Sequence, residues 1–321
     1  MAFDADLIAD RRRLRRKLTF WRVAAFLVVI LAIGAGAFAW SGRPGLAETG
    51  QQIARVTVSG IITGDERTTE LLRRVGESDA VRGVVVSINS PGGTTTGSEE
   101  LFQGIRELAS KKPTVAFVDG LAASGGYITA LGADRIVARE TALVGSIGVL
   151  FQYPDFSGIL GKVGVSVEQV KSAPLKAEPS GFSPTSPEAR AALQSVVDDT
   201  FGWFKNLVTS RRGITGEQLT IVSDGRVFSA RQGLPLKLVD QLGTERDAIA
   251  WLETEKGVPA KLPVRDWKKR DSSRFSLWSI AAFGADLAGF GDLATSLRSA
   301  TLGAAKLDGL LAVWQPRAAE R

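Results

Sequence analysis

Short apolar runs alternate with stretches of helical periodicity from position 51 onward. The runs predict buried strands, and the stretches between them predict helices. In the first half of the chain, strands are predicted at 53–58, 81–88, 114–118 and 135–137, and helices at 69–75, 97–108 and 124–131. Because this alternation is typical of side-by-side strands joined by helices, it predicts an α/β fold with a largely parallel sheet and helical crossovers. Ligands of such folds bind beyond the carboxyl ends of the strands.

The second half of the folded region is predicted to be mainly helical. Ser186, Pro187 and Glu188 are typical of a helix start, and Gly213 is typical of a helix end. Three shorter helices are predicted at 217–223, 230–236 and 246–256. Between the two halves, apolar residues at Val163, Val165, Val167 and Val170 follow a strand-like pattern.

An uncharged stretch, Val23–Trp40, precedes the folded region and is about as long as a helix that crosses a bilayer, which takes roughly 20 apolar residues. Residues 1–22 carry most of the net positive charge, so the positive-inside rule predicts a cytoplasmic N-terminus. The chain is therefore expected to be a single-pass protein of the bacterial inner membrane. A linker at 41–50 would lead into a folded domain in the periplasm.

Two other interpretations of this stretch stay open. Small residues at Ala35, Ala37 and Ala39 would suit a signal peptide that is cleaved, and a buried helix of a soluble domain is the third possibility. Because the positive charge lies before the stretch and is not spread over the folded part, the sequence predicts no nucleic-acid surface.

The composition changes after residue 265, which divides a domain at 51–265 from an extension at 266–321. The extension holds a charged linker and then Phe275–Trp314, an apolar segment rich in Gly and Ala and interrupted by charged residues. Those charges make it a poor second membrane span. A subunit contact, a helix lying on the membrane surface and a partly disordered extension are the three roles we consider.

Cysteine and histidine are both absent from the 321 residues. Their absence excludes disulfides, thiolate nucleophiles, imidazole or thiolate metal ligands and a Ser-His-Asp triad. No cofactor and no metal is expected. The chemistry has to come from Ser, Lys, Asp, Glu, Tyr or the backbone.

Ser124 is the candidate nucleophile, because it lies where the 114–118 strand ends in small residues and a helix begins. A serine hydroxyl needs a base, and without histidine the base is a lysine kept neutral by burial. Lys176 has small or apolar neighbours and is the first candidate, and Lys171 in the same loop is the second. A lysine base predicts activity that rises with pH and is lost in acid.

A second glycine-rich corner, Asn89-Ser90-Pro91-Gly92-Gly93, ends the 81–88 strand. Backbone N–H groups of Gly92 or Gly93 can supply one half of an oxyanion hole, and Ser124 or Gly125 can supply the other half. Alone, this motif is equally typical of a turn.

Five motifs in order resemble the signal peptide peptidases of the SppA type, Ser-Lys enzymes that share the fold of Clp protease and crotonase. The resemblance extends over about residues 53–250. Its motifs are the Asn89–Gly93 corner, Ala123–Tyr127, Val144–Val149, the Lys171–Lys176 loop and Asp224–Ser229.

The resemblance implies a role for each matched residue. Ser124 would be acylated, Lys176 would be the general base, and Ser146 would orient the lysine. Gly125 and a glycine of the 92–93 corner would bind the oxyanion. The implied substrates are membrane-borne peptides such as cleaved signal peptides, and a single catalytic repeat implies a ring of identical subunits.

Two rival functions come from other classes. A crotonase-type acyl-CoA enzyme also holds an oxyanion with paired backbone N–H groups. An inactive relative could instead organise membrane complexes. The Ser-Lys pairing and the uncharged stretch favour the peptidase over the acyl-CoA enzyme.

Overall fold

The computed structural model describes residues 50–269 in full, the backbone of 310–313, and positions 17, 18, 20–22, 24 and 28. The strands are β1 (Gln52–Ile62), β2 (Val81–Thr94), β3 (Thr114–Ala123), β4 (Arg135–Ala138), β5 (Leu143–Gly145), β6 (Leu150–Phe151), β7 (Val227–Ser229), β8 (Gln241–Leu242), β9 (Val264–Asp266) and β10 (Leu310–Val313). The helices are α1 (Glu66–Glu77), α2 (Thr95–Lys111), α3 (Gly125–Leu131), α4 (Ser157–Lys162), α5 (Pro187–Arg212), α6 (Gly216–Val222), α7 (Ala230–Gly233) and α8 (Glu245–Glu255).

A parallel sheet forms the centre of the domain, as the alternation predicts. Strands β9, β1, β2, β3, β4 and β8 are neighbours in that order, and all these pairings are parallel. Strand β3 bends away near its end and pairs with β5, which in turn pairs antiparallel with β7. The helical crossovers between β1 and β4 confirm the predicted α/β class.

Both faces of the sheet are buried, and successive residues of one strand belong to different cores. Val84 and Val86 pack in the larger core with α1, α2, α3 and α5, whereas Val85 packs in a smaller core with Trp251 and Leu252 of α8. This arrangement explains the apolar run Val84–Val86 in the middle of β2, since a strand segment buried on both sides needs apolar residues at successive positions.

Helix starts and ends follow the predicted signals. The Ser186 side chain accepts a hydrogen bond from the Ala189 N–H at 3.1 Å, and Gly213 ends α5 with a φ of 65°. The Asp65 carboxylate caps α1 by accepting from the Arg67 N–H at 3.1 Å. Within residues 50–269, the predicted elements form except the strand at Val163–Val170, although α7 is shorter than the predicted 230–236 helix.

The strand predicted from the valines is wrong. Residues 156–182, which we term the lysine loop, hold only the short helix α4 and otherwise turns and irregular backbone. Val163, Val165, Val167 and Val170 are exposed, because no neighbouring strand pairs with this segment in the part of the chain that the structure describes. The Phe156 N–H donates to the Gly181 carbonyl at 2.8 Å and closes the base of the loop.

Two compact units are separated between Gly50 and Gln51. Across the described positions, no helix is long and apolar enough to span a membrane. The predicted span Val23–Trp40 falls outside the described residues except for Ala24 and Val28, and most of the 266–321 extension falls outside them as well.

Candidate active site

Ser124 lies at the strand–helix corner where the sequence predicts it, between β3 and α3. Its side chain is buried, with 1% of its surface exposed. As the N-cap of α3 it makes no side-chain capping hydrogen bond, so its hydroxyl is not used to hold the helix. Its carbonyl accepts instead from the N–H groups of Tyr127 and Ile128 at 2.9 and 3.0 Å. The corner is thus fixed by backbone bonds.

The backbone of Ser124 is strained. Its φ is 53° and its ψ is −117°, a combination that residues with a β-carbon rarely adopt. Such a conformation costs on the order of 1–3 kcal/mol and is found mostly at functional sites. A serine in a conformation that favours glycine indicates that the hydroxyl group is functional.

Two glycines of the site have no room for a side chain. A β-carbon on Gly126 would lie 2.6 Å from the Ser90 carbonyl oxygen, and one on Gly93 would lie 1.7 Å from that of Ile62. The first contact packs the Ser124 corner directly against β2. Gly125 is the first residue of α3, so its N–H has no acceptor within the helix.

Ser90 is a structural part of the site that sequence reasoning treated only as a turn residue. It is fully buried, and its hydroxyl donates to the Gly60 carbonyl at 2.7 Å. The same hydroxyl accepts from the Gly92 N–H at 3.1 Å. Ser90 therefore fixes the path of the chain into Gly92 and Gly93. The sequence signal that could have identified Ser90 as part of the site was its position within the five-residue motif Asn89–Gly93.

Ser146 follows β5 just as Ser124 follows β3. Because Ala123 pairs with Gly145, the two serines leave adjacent strand ends. Ser146 is buried, with 7% exposure, and has a φ of 50°. Its N–H donates to the Arg226 carbonyl at 2.8 Å, which ties it to the Asp224–Ser229 motif. The structure thus brings together Ser124, Ser146 and the glycine corner.

Lys176 is not brought into this cluster. It lies exposed in a turn of the lysine loop, and its N–H donates to the Ala173 carbonyl at 3.0 Å. Within the described residues, its ammonium group makes no hydrogen bond or ion pair. The buried surroundings expected for a lysine base are therefore absent in this single chain.

Lys171, the second candidate base, has a different environment. Its ammonium group forms an ion pair with Glu178, and both side chains are largely buried. The hydrogen bond from Lys171 lowers the pKa of Glu178, which keeps the carboxylate charged. The ammonium group of Lys171 therefore already has a carboxylate partner within its own loop. Lys176 stays the first candidate for the base and Lys171 the second.

Tyr127, also part of a motif, is completely buried and donates to the Leu238 carbonyl at 2.9 Å. Burial raises the pKa of this phenol far above its usual range, so it stays neutral and has a structural role. Over the described ranges, no group of three or more acidic side chains is close enough to hold a metal ion.

A buried serine on a strained strand–helix corner, close to a glycine-rich strand end, is typical of a serine hydrolase. The profile of peptidase family S49 matches residues 106–259. The chain is 37% identical over 217 residues to a provisionally named protease of Synechocystis sp., a match that covers 67% of this chain and 78% of that protein.

A second relative is a provisionally named signal peptide peptidase SppA of Enterococcus faecium. It is 32% identical over 242 residues, which cover 71% of this chain and 70% of that protein. Among solved structures, a membrane-bound stomatin-specific protease aligns with a TM-score of 0.44 and 16% identity, over 68% of this chain and 99% of that one. The chain belongs to peptidase family S49, the SppA-type serine peptidases.

Proposed function

We propose that the chain is a membrane-anchored endopeptidase that degrades cleaved signal peptides and similar membrane-associated peptides through a Ser124–Lys176 dyad. The observation that carries the proposal is the strained, buried Ser124, whose hydroxyl is not used in capping α3. Family membership supports a serine peptidase with peptide substrates and disfavours the acyl-CoA alternative.

The reaction has two stages. The Ser124 Oγ attacks the peptide carbonyl carbon while the neutral Lys176 Nζ takes the hydroxyl proton. The lysine then gives this proton to the leaving amine, the C–N bond breaks, and an ester to Ser124 remains. Water attacks the ester, its proton passes through the lysine to the Ser124 Oγ, and the carboxylic acid product leaves. Gly93 and Gly125 N–H groups would stabilise the oxyanion of each tetrahedral intermediate.

Lys176 can act only if its exposed loop becomes covered. The same loop exposes the side chains of Phe156, Ile159, Val163, Val170 and Leu175, with exposures between 47% and 107%. Isolated apolar side chains are ordinary on a surface, but several on one loop are typical of an interaction site. A second copy of the chain packed on the lysine loop would bury these side chains and desolvate Lys176. This supports a homo-oligomer in which the dyad is completed on assembly.

The predicted anchor fits the same function. A span at Val23–Trp40 would confine the catalytic domain to the periplasmic surface, where the local concentration of released membrane peptides is high. The small-residue sites around Ala37 leave cleavage of this stretch as the alternative, which a protease-protection assay on sealed vesicles would distinguish. Cleavage from the cytoplasmic side at residues 51–265 would contradict the proposed topology.

The test is peptidase activity of the purified full-length protein on an apolar fluorogenic peptide. Ser124→Ala and Lys176→Met should each abolish turnover while the far-UV circular dichroism spectrum stays unchanged, and Lys171→Met is the matched control from the same loop. If Lys171→Met is inactive and Lys176→Met is active, the assignment of the base is wrong. A wild-type protein without peptidase activity in its assembled form would favour the inactive scaffold.

A further inference from the structure

The strand β10 occupies the edge of β2 next to the Ser124 corner. Strand β3 is the neighbour of β2 as far as the Ser90–Ala122 pair and then turns toward β5, whereas β1 stays paired with β2 through Gly93. Beyond Ser90, β10 pairs with β2 in antiparallel orientation. The partners are Val313 with Gly92, Ala312 with Gly93 and Leu311 with Thr94. Because β1 holds one edge of β2, β10 has taken the edge that β3 leaves.

A second strand binds the other edge of β10. Leu310 pairs with Phe151 and Leu311 with Leu150, again in antiparallel orientation. The strand is therefore held between β2 and β6, with backbone partners on both sides. We term the space between residues 92–94 and 150–151 the strand slot. Pairing on two edges recognises the main chain of an extended segment and leaves its side chains to be selected by their surroundings.

The strand slot lies beside the proposed nucleophile. Gly126, two residues after Ser124, packs against the Ser90 carbonyl, and Ser90 in turn holds the Gly92 N–H. A peptide paired with Gly92–Thr94 thus passes along the strand that carries the proposed oxyanion donor. This is the place where a substrate carbonyl has to be held for attack.

We propose that Leu310–Val313, by filling the strand slot, acts as an internal competitor of the substrate. The proposal rests on the proposed function, because it takes the slot as the path of the scissile peptide. The sequence Leu-Leu-Ala-Val has no charge, and Leu150 on the slot wall is 40% exposed, so apolar peptides are the class that fits. A tethered competitor acts at an effective concentration on the order of millimolar.

The pairing can be tested independently of activity, since the chain has no cysteine of its own. Two double variants, Leu150→Cys with Leu311→Cys and Phe151→Cys with Leu310→Cys, place thiols at directly opposite positions. Opposite residues of an antiparallel pair lie about 4.5–5.5 Å apart between Cα atoms, within the range of a disulfide. Ser110→Cys with Leu311→Cys is the control, because Ser110 is near the far end of α2, roughly 23 Å along the helix from Thr95.

At least one slot pair should form an intramolecular disulfide on mild oxidation, seen by mass spectrometry and by monomer mobility on a non-reducing gel, while the control pair should not. Absence of a disulfide in both slot pairs would overturn the occupancy. Disulfides that join two chains would overturn the intramolecular arrangement. Neither result depends on whether the protein is a peptidase.

The second arm measures competition on the same full-length protein. The disulfide form should lose activity on the fluorogenic peptide and regain it with a reductant, and an oxidised form with full activity would overturn the proposal. A protein inactive in both redox states would instead contradict the peptidase function, and the disulfide would still report the pairing.

A variant in which β10 leaves the strand slot should bind substrate more tightly, the opposite of the effect of the disulfide. Ala312→Pro removes a backbone N–H from a strand that is paired on both edges, so it should empty the slot. If β10 fills the slot nine-tenths of the time, KM should fall about tenfold with kcat unchanged. Ala312→Val, which suits a strand, is the control and should keep the wild-type KM. An unchanged KM in Ala312→Pro would contradict the competition.

Discussion

The backbone N–H of Ser124 donates to the carbonyl oxygen of Gly145 at 2.8 Å. This bond joins the ends of β3 and β5 and holds the following residue, Ser146, beside the proposed nucleophile. Both serines are buried and both have a positive φ. Two neighbouring serines with a positive φ indicate that this corner holds two hydroxyl groups close together. Substitution of each serine tests its role.

Ser146 should act by positioning the lysine. Ser146→Ala should lower kcat roughly tenfold to a hundredfold, the effect of about 1.4–2.8 kcal/mol from one lost hydrogen bond to a charged or reacting group. Ser146→Gly should lower kcat equally but raise the melting temperature, because glycine relieves the strain at a φ of 50°. A pH profile that is unchanged in Ser146→Ala would contradict the positioning role.

The close contacts of the glycine corner predict a steric effect. Gly93→Ala and Gly126→Ala should each lower stability and abolish activity, since their β-carbons would lie 1.7 and 2.6 Å from backbone oxygens. Gly202→Ala is the matched control inside α5, where no atom lies within 4 Å of the added carbon. This control should stabilise the protein by up to about 1 kcal/mol. Thermal unfolding and peptidase assays measure both effects, and an active Gly93→Ala variant would contradict the close approach.

The Tyr127 hydroxyl should contribute to stability and not to catalysis, although the residue belongs to the same motif as Ser124. Tyr127→Phe removes the hydrogen bond to the Leu238 carbonyl and leaves that buried oxygen without this donor, at a cost of about 1–2 kcal/mol. The melting temperature should fall, while kcat should stay within about twofold of the wild type because the ring still fills its place. Loss of turnover in a variant that remains folded would show that the hydroxyl takes part in the chemistry.

Assembly should complete the dyad. Val163→Asp and Ile159→Asp place charge on the exposed apolar surface of the lysine loop and should give monomers with activity reduced at least tenfold, as seen by analytical ultracentrifugation and peptide turnover. Val196→Asp, on an exposed face of α5 and 51% exposed, is the control and should leave both unchanged. Full activity in a monomeric variant would contradict a dyad completed by assembly.

Mixing subunits shows which copy supplies the base. If Lys176 of one subunit serves Ser124 of its neighbour, a mixture of Ser124→Ala and Lys176→Met subunits should recover up to about a quarter of wild-type turnover, since random pairing leaves that share of sites intact. If each subunit uses its own lysine, the mixture should remain inactive. Either result follows from the same two variants after dissociation and reassembly.

The central elements could be predicted from sequence because β2 and β3 are buried on both faces and flanked by clear helix patterns. The end of β2 could not. Ser90-Pro91-Gly92-Gly93 is typical of a turn, yet it continues the strand because Ile61 and Ile62 of β1 pair with Gly92 and Gly93. A pairing partner overrides local propensity, and the sequence of one strand does not name its partner.

The candidate site could also be predicted only in part, because the sequence of one strand does not show which strand pairs with it. Ser124 and Ser146 follow strand ends and are brought together by the register of β3 and β5. The exposure of Lys176 could not be predicted, because a sequence does not show how a loop packs. The valines of the lysine loop were wrongly predicted to form a strand, because an alternating apolar pattern does not show whether a neighbouring strand is present. The pairing of β10 joins segments some 220 positions apart along the chain and leaves no local signal.

The most direct test of the account is the mass-spectrometric mapping of acylation by a serine-directed acylating reagent on the assembled protein. We expect one adduct on the peptide that contains Ser124, no adduct in Ser124→Ala, and acylation slowed at least a hundredfold in Lys176→Met, since general-base catalysis contributes roughly a hundredfold to ten-thousandfold. An adduct on another serine in the wild type, or unchanged acylation in Lys176→Met, would contradict the Ser-Lys dyad.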